Sequence, residues 1–263
     1  MRRVVFNQKG GVGKSSIAVN LAAITAKQGF RTLVVDLDAQ CNASHYLLGE
    51  PPDEAIANIA DFYEQFLSFR LMKRHPEDFV MATPYERLSL IPASPRLADM
   101  QHRLEMKHKI FKMREALDQL NAKFEFVFID TPPAFNFYTL SALIAADGCL
   151  IPFDCDAFSR HALYSLLENV EEVRSDHNEK IYVEGIIINQ FLERARLPRE
   201  LVAELHREGL PVLAAKLSSS VKMRESHQVS KPLIYLDPKH KLTGEFMVLY
   251  KELVRRRAEN RRG

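Results

Sequence analysis

Short apolar runs alternate along this chain with longer stretches in which apolar residues recur every three or four positions. The short runs lie near Val4, Leu33, Leu88, Phe126, Cys149, Tyr182 and Val212 and predict strands covered on both faces. The periodic stretches predict helices starting at Ser15, spanning Asp53 through Phe69, crossing Leu104 to Leu120, starting at Tyr138, Ser159 and Pro198, and running from Leu242 into the tail. Strand and helix in alternation predict an α/β fold, a doubly wound, mostly parallel sheet with helices on both faces, in a single domain over residues 1–263. Between Asp53 and His75, the residues Ile56, Ile59, Phe62, Tyr63 and Phe66 keep helical spacing. A core-facing stripe is the main reading of that pattern, and a partner-docking helix is the other.

Composition narrows the class. A chain of 263 residues with 46% hydrophobic content can bury a large core. Its cysteines, Cys41, Cys149 and Cys155, form no CxxC pair, so neither a disulfide framework nor a zinc ribbon is expected. Met1-Arg2-Arg3 leads directly into a strand without an apolar signal region, and no apolar run reaches membrane-spanning length. A cytoplasmic location follows as the expectation. Net charge is only +2, yet Lys239 to Gly263 holds eight Lys/Arg against three Glu, a local +5 that leaves the remainder at −3.

The strongest chemical signal is the string NQKGGVGKSS over residues 7–16, between the apolar Val4-Val5-Phe6 and the helix-like Ile17 to Ala23. In a strand, loop and helix sequence, such glycines let backbone N–H groups approach phosphate oxygens at a helix N-terminus, where the dipole also favours anions. Gly10, Gly11, Val12 and Gly13 would cradle the phosphates, Lys14 would neutralise them, and Ser15 would offer a hydroxyl to a phosphate-bound Mg²⁺ with Ser16 beside it. Two further strands end in carboxylates: the segment Leu33 to Gln40 is an apolar strand ending in Asp36 and Asp38, and Phe126 to Ile129 is followed by Asp130-Thr131-Pro132-Pro133. Ligands of an open parallel sheet bind beyond strand C-termini, so these carboxylates can converge on the same phosphates and metal. Each aspartate could instead cap a helix, and for Asp38 capping is compatible with function.

Gln8 stands where the ordinary phosphate loop has glycine, and Lys9 precedes Gly10. The string K-G-G-V-G-K-S thereby resembles the deviant P-loop of the ParA/MinD superfamily of NTPases. Ile91-Pro92-Ala93-Ser94, Asp147 to Pro152 and Lys231 to Pro238 resemble further segments of ParA/Soj-type partition ATPases, so the likeness covers nearly the whole chain except a variable segment over 49–86. The resemblance implies a slow, Mg²⁺-dependent ATP hydrolase, stimulated by a partner, that acts as a dimerising switch. Within it Lys9 is the signature lysine that reaches the nucleotide of the other subunit, and Asp38 orients the attacking water. Asp36 supports Asp38 and the waters of the metal, and Asp130 holds Mg²⁺ through a water. Asn189, at the end of the strand Val183 to Ile188, resembles the asparagine that reads adenine in several relatives; a turn asparagine is the alternative. No guanine-reading NKxD motif stands out, which favours ATP.

Arg194 and Lys222, with Arg224 nearby, lie closest to basic positions that contact DNA in the family, and such clusters neutralise backbone phosphates without reading bases. The resemblance therefore implies a homodimer with ATP, non-specific DNA, nucleoid association, and a centromere-binding or cargo adaptor protein as partner. The polar basic tail over 254–263 argues against a membrane-inserting helix of the MinD kind. No cysteine follows Asp130 in its loop, which argues against a nitrogenase-like iron protein, and a phosphate-loop strand starting near residue 4 leaves no room for an N-terminal helix-turn-helix. Relatives of this family also position chemoreceptor arrays, carboxysomes or cellulose synthesis machinery, and Ala39, where most partition ATPases carry proline, keeps that alternative open.

Overall fold

The first strand of the chain lies inside the sheet, and that placement decides where the site forms. In the computed structural model, which describes residues 1–49, 56–68, 72–155 and 159–260, β1 (Arg2–Val5) leads through the glycine loop to α1 (Lys14–Lys27), β2 (Thr32–Asp36), α2 (Asn42–Leu48) and α3 (Ile59–Glu64). A 3-10 turn at Pro76–Phe79 precedes β3 (Met81–Ala82), β4 (Leu88–Ile91), α4 (Leu97–Met106), α5 (Lys112–Leu120), β5 (Phe126–Asp130), α6 (Phe137–Ala145) and β6 (Gly148–Asp154). The chain closes with α7 (Ser159–Asp176), β7 (Tyr182–Phe191), α8 (Arg196–Arg207), β8 (Val212–Ser218), α9 (Val221–Gln228), α10 (Leu233–Leu236) and α11 (Lys241–Asn260). One eight-stranded sheet results, ordered β3-β4-β2-β5-β1-β6-β7-β8 and parallel except for the β3–β4 pair.

Winding runs from β1 through α1 towards β2, whereas α6 later carries the chain from β5 past β1 to β6. The direction reverses at β1, so the loops after β1, β2 and β5 open at a topological switch point. Alternate strand residues feed two separate cores. Val4, Leu33, Val35, Val127 and Ile129 join the core that contains α3 to α8, while Val5, Val34, Phe126 and Phe128 face the core of α1, α2, α10 and α11. Arg3 crosses this otherwise apolar layer, bonded through Nε and one terminal nitrogen to the buried Glu184 at 2.7 and 2.6 Å and flanked by the rings of Phe126 and Phe128.

The seven expected strands all form, and β3, two residues long, is additional. The single helix expected across Leu104 to Leu120 is two helices, because His108 adopts a left-handed φ of 51° that interrupts the helical hydrogen-bond ladder. Among the described residues of the helix expected over Asp53 through Phe69, Ile59–Glu64 is helical. It starts at Asn58, whose side chain accepts from the N–H groups of Ala60 and Asp61 while Asp61 accepts from that of Asn58. Ile59, Phe62 and Tyr63 are buried in the core, and Phe66 packs against it, as the core-facing reading requires. Residues 50–55 and 69–71 of the variable segment lie outside the described residues. The basic tail is not a separate extension: through residue 260 it continues α11, and Arg261 and Arg262 lie outside the described residues. Among the described residues no helix is long and apolar enough to cross a membrane.

Candidate functional site

The glycine loop reaches α1 through two left-handed residues, Gly11 at φ 77° and Gly13 at φ 89°. Gly13 caps α1 without any side-chain cap, and the first turn of α1 contains no acidic residue. The free N–H groups and positive dipole end of this helix therefore face the cleft together with Lys14, an arrangement suited to an anion. Lys14 is 7% exposed, its Nζ bonded to the Lys9 carbonyl at 3.0 Å. Burial lowers its pKa, and the nearby Asp130 and Asp38 oppose that shift.

Three side chains that the sequence did not single out hold the loop in shape. Asn7 donates to the Pro152 carbonyl at 2.7 Å and accepts from the Lys9 N–H at 2.8 Å, fixing the loop entrance to β6. Gln190, itself left-handed at φ 53°, donates to the Gly11 carbonyl at 2.9 Å. His227 shares a hydrogen bond with the Ser16 hydroxyl at 2.9 Å. Asn189 likewise braces the loop: its Nδ2 donates to the Val12 carbonyl at 2.8 Å and occupies the space that a Cβ on Gly13 would need. Lys9 turns outwards, paired with Asp154 at 2.8 Å on its own chain.

The carboxylates differ sharply in environment. Asp36 and Asp130 are register partners at the ends of adjacent strands, and both are fully buried. Asp36 accepts from the N–H and hydroxyl of Ser44 at 2.8 and 2.7 Å and from the Asp38 N–H at 3.1 Å, so its oxygens hold the loop that carries Asp38. Burial pushes its pKa up to about 6 against the pull of these bonds. Asp38 is 6% exposed and accepts from the Gln40 N–H at 3.0 Å, and it lines the cleft opposite the loop. Neither oxygen of Asp130 has a hydrogen-bond partner, the sole such buried side chain among the described residues. Burial first, and then the Asp36 charge, raise its pKa well above the usual range; the nearby Ser15 hydroxyl opposes this without reaching hydrogen-bond geometry.

An orphaned carboxylate beside Ser15 and Lys14 fits a hydrated divalent cation. No group of three or more His, Cys, Asp or Glu among the described residues could hold a metal by itself. Mg²⁺ suits such a sparse protein donor set, since it keeps waters and takes oxygens from phosphates.

This arrangement makes a stability prediction with a definite sign. A buried acid with a raised pKa retains its proton in the folded state after the unfolded chain has lost it, so stability falls as pH rises from about 4 towards the raised value. Asp130→Asn should therefore unfold at a higher temperature than the parent at pH 7, and at nearly the same temperature at pH 4. Calorimetric scans of the nucleotide-free proteins check this, and equal unfolding temperatures at pH 7 would contradict it.

The loop, Asp38, Pro133 and the residues Gln40, Asn42, His45, Tyr46 and His227 enclose a cleft of about 550 Å³. A narrower cleft of about 190 Å³ continues from it, bounded by Asn189, Ser218 to Ser220, Met223 and Arg224. Asn189 borders this second cleft with its amide nitrogen engaged by the loop. Arg224 lines this second cleft. Lys222 pairs with Glu225 at 2.6 Å, and Arg194 is exposed three residues beyond Phe191. Phe191 and Ser218 are register partners, so Arg194 and Lys222 follow neighbouring strand ends on the edge of the sheet that bears the cleft. The basic end of α11 lies elsewhere: Arg256 reaches the carbonyls of Glu184 and Val212, and Arg257 lies over the Phe126 ring, all at strand starts.

Comparison with known proteins agrees with this geometry. A sequence-family model described as "AAA domain" matches residues 3–183. The chain is 33% identical over 257 residues to the chromosome partitioning protein ParA of Myxococcus xanthus, covering 96% of this chain and 87% of that one. To the sporulation initiation inhibitor protein Soj of Bacillus subtilis it is 29% identical, covering 95% and 96%. Among solved structures, cobyrinic acid a,c-diamide synthase of Mycobacterium smegmatis, with bound ATP analogue and magnesium, superposes with a TM-score of 0.76 at 26% identity over 86% of this chain and 91% of that one. The deviant phosphate loop on β1, the carboxylates ending β2 and β5, and a likeness running nearly end to end make this chain a member of the ParA/Soj type of partition ATPases within the ParA/MinD family.

Proposed function

We propose that this protein is a Mg²⁺-dependent ATPase switch that dimerises with ATP, binds DNA without sequence preference in that state, and partitions a plasmid or chromosome with a protein partner. The observation that carries the reading is the cleft, where an uncapped helix terminus and Lys14 face the buried Asp38 and the orphaned Asp130. ATP phosphates satisfy the N–H groups of the loop and the Lys14 charge. Ser15 and the orphaned Asp130 would hold Mg²⁺, which would supply positive charge against that of the phosphates. Asp38, fixed by the Gln40 N–H and by Asp36 behind it, orients a water in line with the terminal phosphate. Positioning and charge stabilisation are nearly all that phosphoryl transfer asks of a protein.

Lys9 connects this chemistry to assembly. Its pairing with Asp154 joins an exposed lysine to a partly exposed carboxylate at the surface, and such pairs contribute at most about 1 kcal/mol. A second phosphate chain offers more charge than one aspartate, so Lys9 leaves Asp154 for the nucleotide across the dimer. Dimerisation then doubles the basic surface around Arg194 and Lys222. A partner protein that stimulates hydrolysis resets the switch, and the working location is the nucleoid.

Fluorescence anisotropy with two unrelated duplexes tests the DNA step. Binding should appear with ATP, not with ADP, and be equal for both duplexes. With on the order of four to six phosphates neutralised per dimer, affinity should fall by about two to three decades between 50 and 200 mM salt. Arg194→Glu with Lys222→Glu should weaken both duplexes alike. Equal binding in ADP, or strong preference for one duplex, would overturn the gated non-specific reading.

A further inference from the structure

His227 belongs to the last turn of α9, yet it bonds to the first turn of α1. It borders both clefts, the one at the phosphate loop and the narrower one beside Asn189. The geometry points to His227 as a positioning residue that links the nucleotide cleft to the orientation of α9, through its hydrogen bond to Ser16. The inference rests on the nucleotide-switch reading above and adds to it a route from the nucleotide to the basic surface.

Three features support the link. First, Ser16 follows Ser15 in the turn whose free N–H groups face the cleft, so an anion seated there meets the Ser16–His227 bond directly. Second, the ring is held in place. The edge of His227 meets the Tyr46 ring with centroids 4.7 Å apart and planes at 89°. The Tyr46 hydroxyl bonds to Ser226 and receives a bond from Asn20 at 3.1 Å, while Asn20 also bonds to the Ser16 carbonyl at 2.8 Å and accepts from the Leu233 N–H at 2.9 Å. Ser16, Asn20, Tyr46, Ser226 and His227 therefore form a closed ring of contacts joining α1, α2 and α9. Third, the other end of α9 carries the output. Lys222 lies in its first turn, and Arg224, three residues before His227, lines the same narrow cleft. A helix of eight residues moves as one body, so a shift at His227 displaces both basic groups.

Protein packed behind the ring lowers the pKa of His227, although its edge remains open to solvent in the cleft and the effect is correspondingly modest. A neutral imidazole can donate or accept towards Ser16, so the link needs no charge on the ring.

Hydrogen exchange over residues 221–229 tests the link, measured in Asp38→Ala protein so that ATP persists, with saturation by Mg·ATP verified by calorimetry. ATP should change exchange in this segment by about fivefold, the scale of one net hydrogen bond. His227→Phe keeps a ring against Tyr46 but has no nitrogen, and should lose the response even at Mg·ATP concentrations that calorimetry shows to saturate it. His227→Gln can bond to Ser16 and should retain it, and Ser16→Ala, which removes the other end of the bond, should reproduce the loss. A response in His227→Phe equal to that of the parent would overturn the proposal, as would its loss in His227→Gln. Failure of His227→Phe alone to bind ATP would make the residue a nucleotide ligand and likewise overturn the link. A parent that binds ATP without any response in α9 refutes the link and leaves the switch standing; a parent that binds no ATP refutes both.

Discussion

Lys14→Ala should lose ATP binding by about two to three decades, and Asp38→Ala should bind ATP with nearly the affinity of the parent while hydrolysing it about 10²–10⁴-fold more slowly. The first effect follows from removing a nearly buried cation from a cleft whose other phosphate-facing groups are N–H dipoles and hydroxyls and whose carboxylates repel an anion; deleting one member of a desolvated charge pair costs roughly 2–5 kcal/mol. The second follows from geometry. Asp38 lines the cleft but is held by the backbone of its own loop rather than by Lys14, so its loss removes the water-orienting group without disturbing the phosphate cradle. Calorimetry and phosphate release separate the two outcomes. Unchanged hydrolysis in Asp38→Ala would remove that residue from the mechanism.

The second large effect concerns the fold. Arg3 and Glu184 form a two-point ion pair with side chains 1% and 0% exposed. Arg3→Met would strand a carboxylate in an apolar layer, which costs about 3–5 kcal/mol and should lower the unfolding temperature by roughly 10 °C. Replacing both partners, Arg3→Met with Glu184→Leu, removes the stranded charge as well as the bond and should recover most of the loss. Thermal unfolding of the single and double variants decides the matter. Equal destabilisation in both would mean that packing around Phe126 and Phe128, rather than the charge, sets the cost.

Much of this architecture was legible because buried parallel strands announce themselves. Val4-Val5-Phe6, Leu33-Val34-Val35 and Phe126 to Ile129 are uninterrupted apolar runs, and in each the chain turns polar where the site begins. The register pairing of Asp36 with Asp130 turns that shared sequence pattern into proximity. Short elements were harder to read. The strand Met81–Ala82 is too brief to show a period, and α2 follows Cys41, a left-handed cap residue with no side-chain cap bond to signal a start. The break at His108 had no glycine or proline to mark it. His227 could not be found from sequence at all. Its partner Ser16 is 211 residues away, and no local period places a lone histidine of α9 against α1. Asn189 was found as a polar residue closing an apolar strand, but its bond to the Val12 carbonyl depends on the approach of β7 to the loop. The excess of basic residues near the C-terminus was visible, whereas its placement at strand starts, away from the cleft edge, required the fold.

The central claim is that ATP, through Lys9, brings two copies of this chain together. The most direct test is the molar mass by light scattering of Asp38→Ala protein with Mg·ATP, with Mg·ADP, and with Lys9→Ala added. The account predicts a mass doubled from 30.1 kDa only for Asp38→Ala with ATP, and 30.1 kDa in the other two samples. A mass of 30.1 kDa with ATP, or doubling that ignores the nucleotide or survives Lys9→Ala, would contradict it.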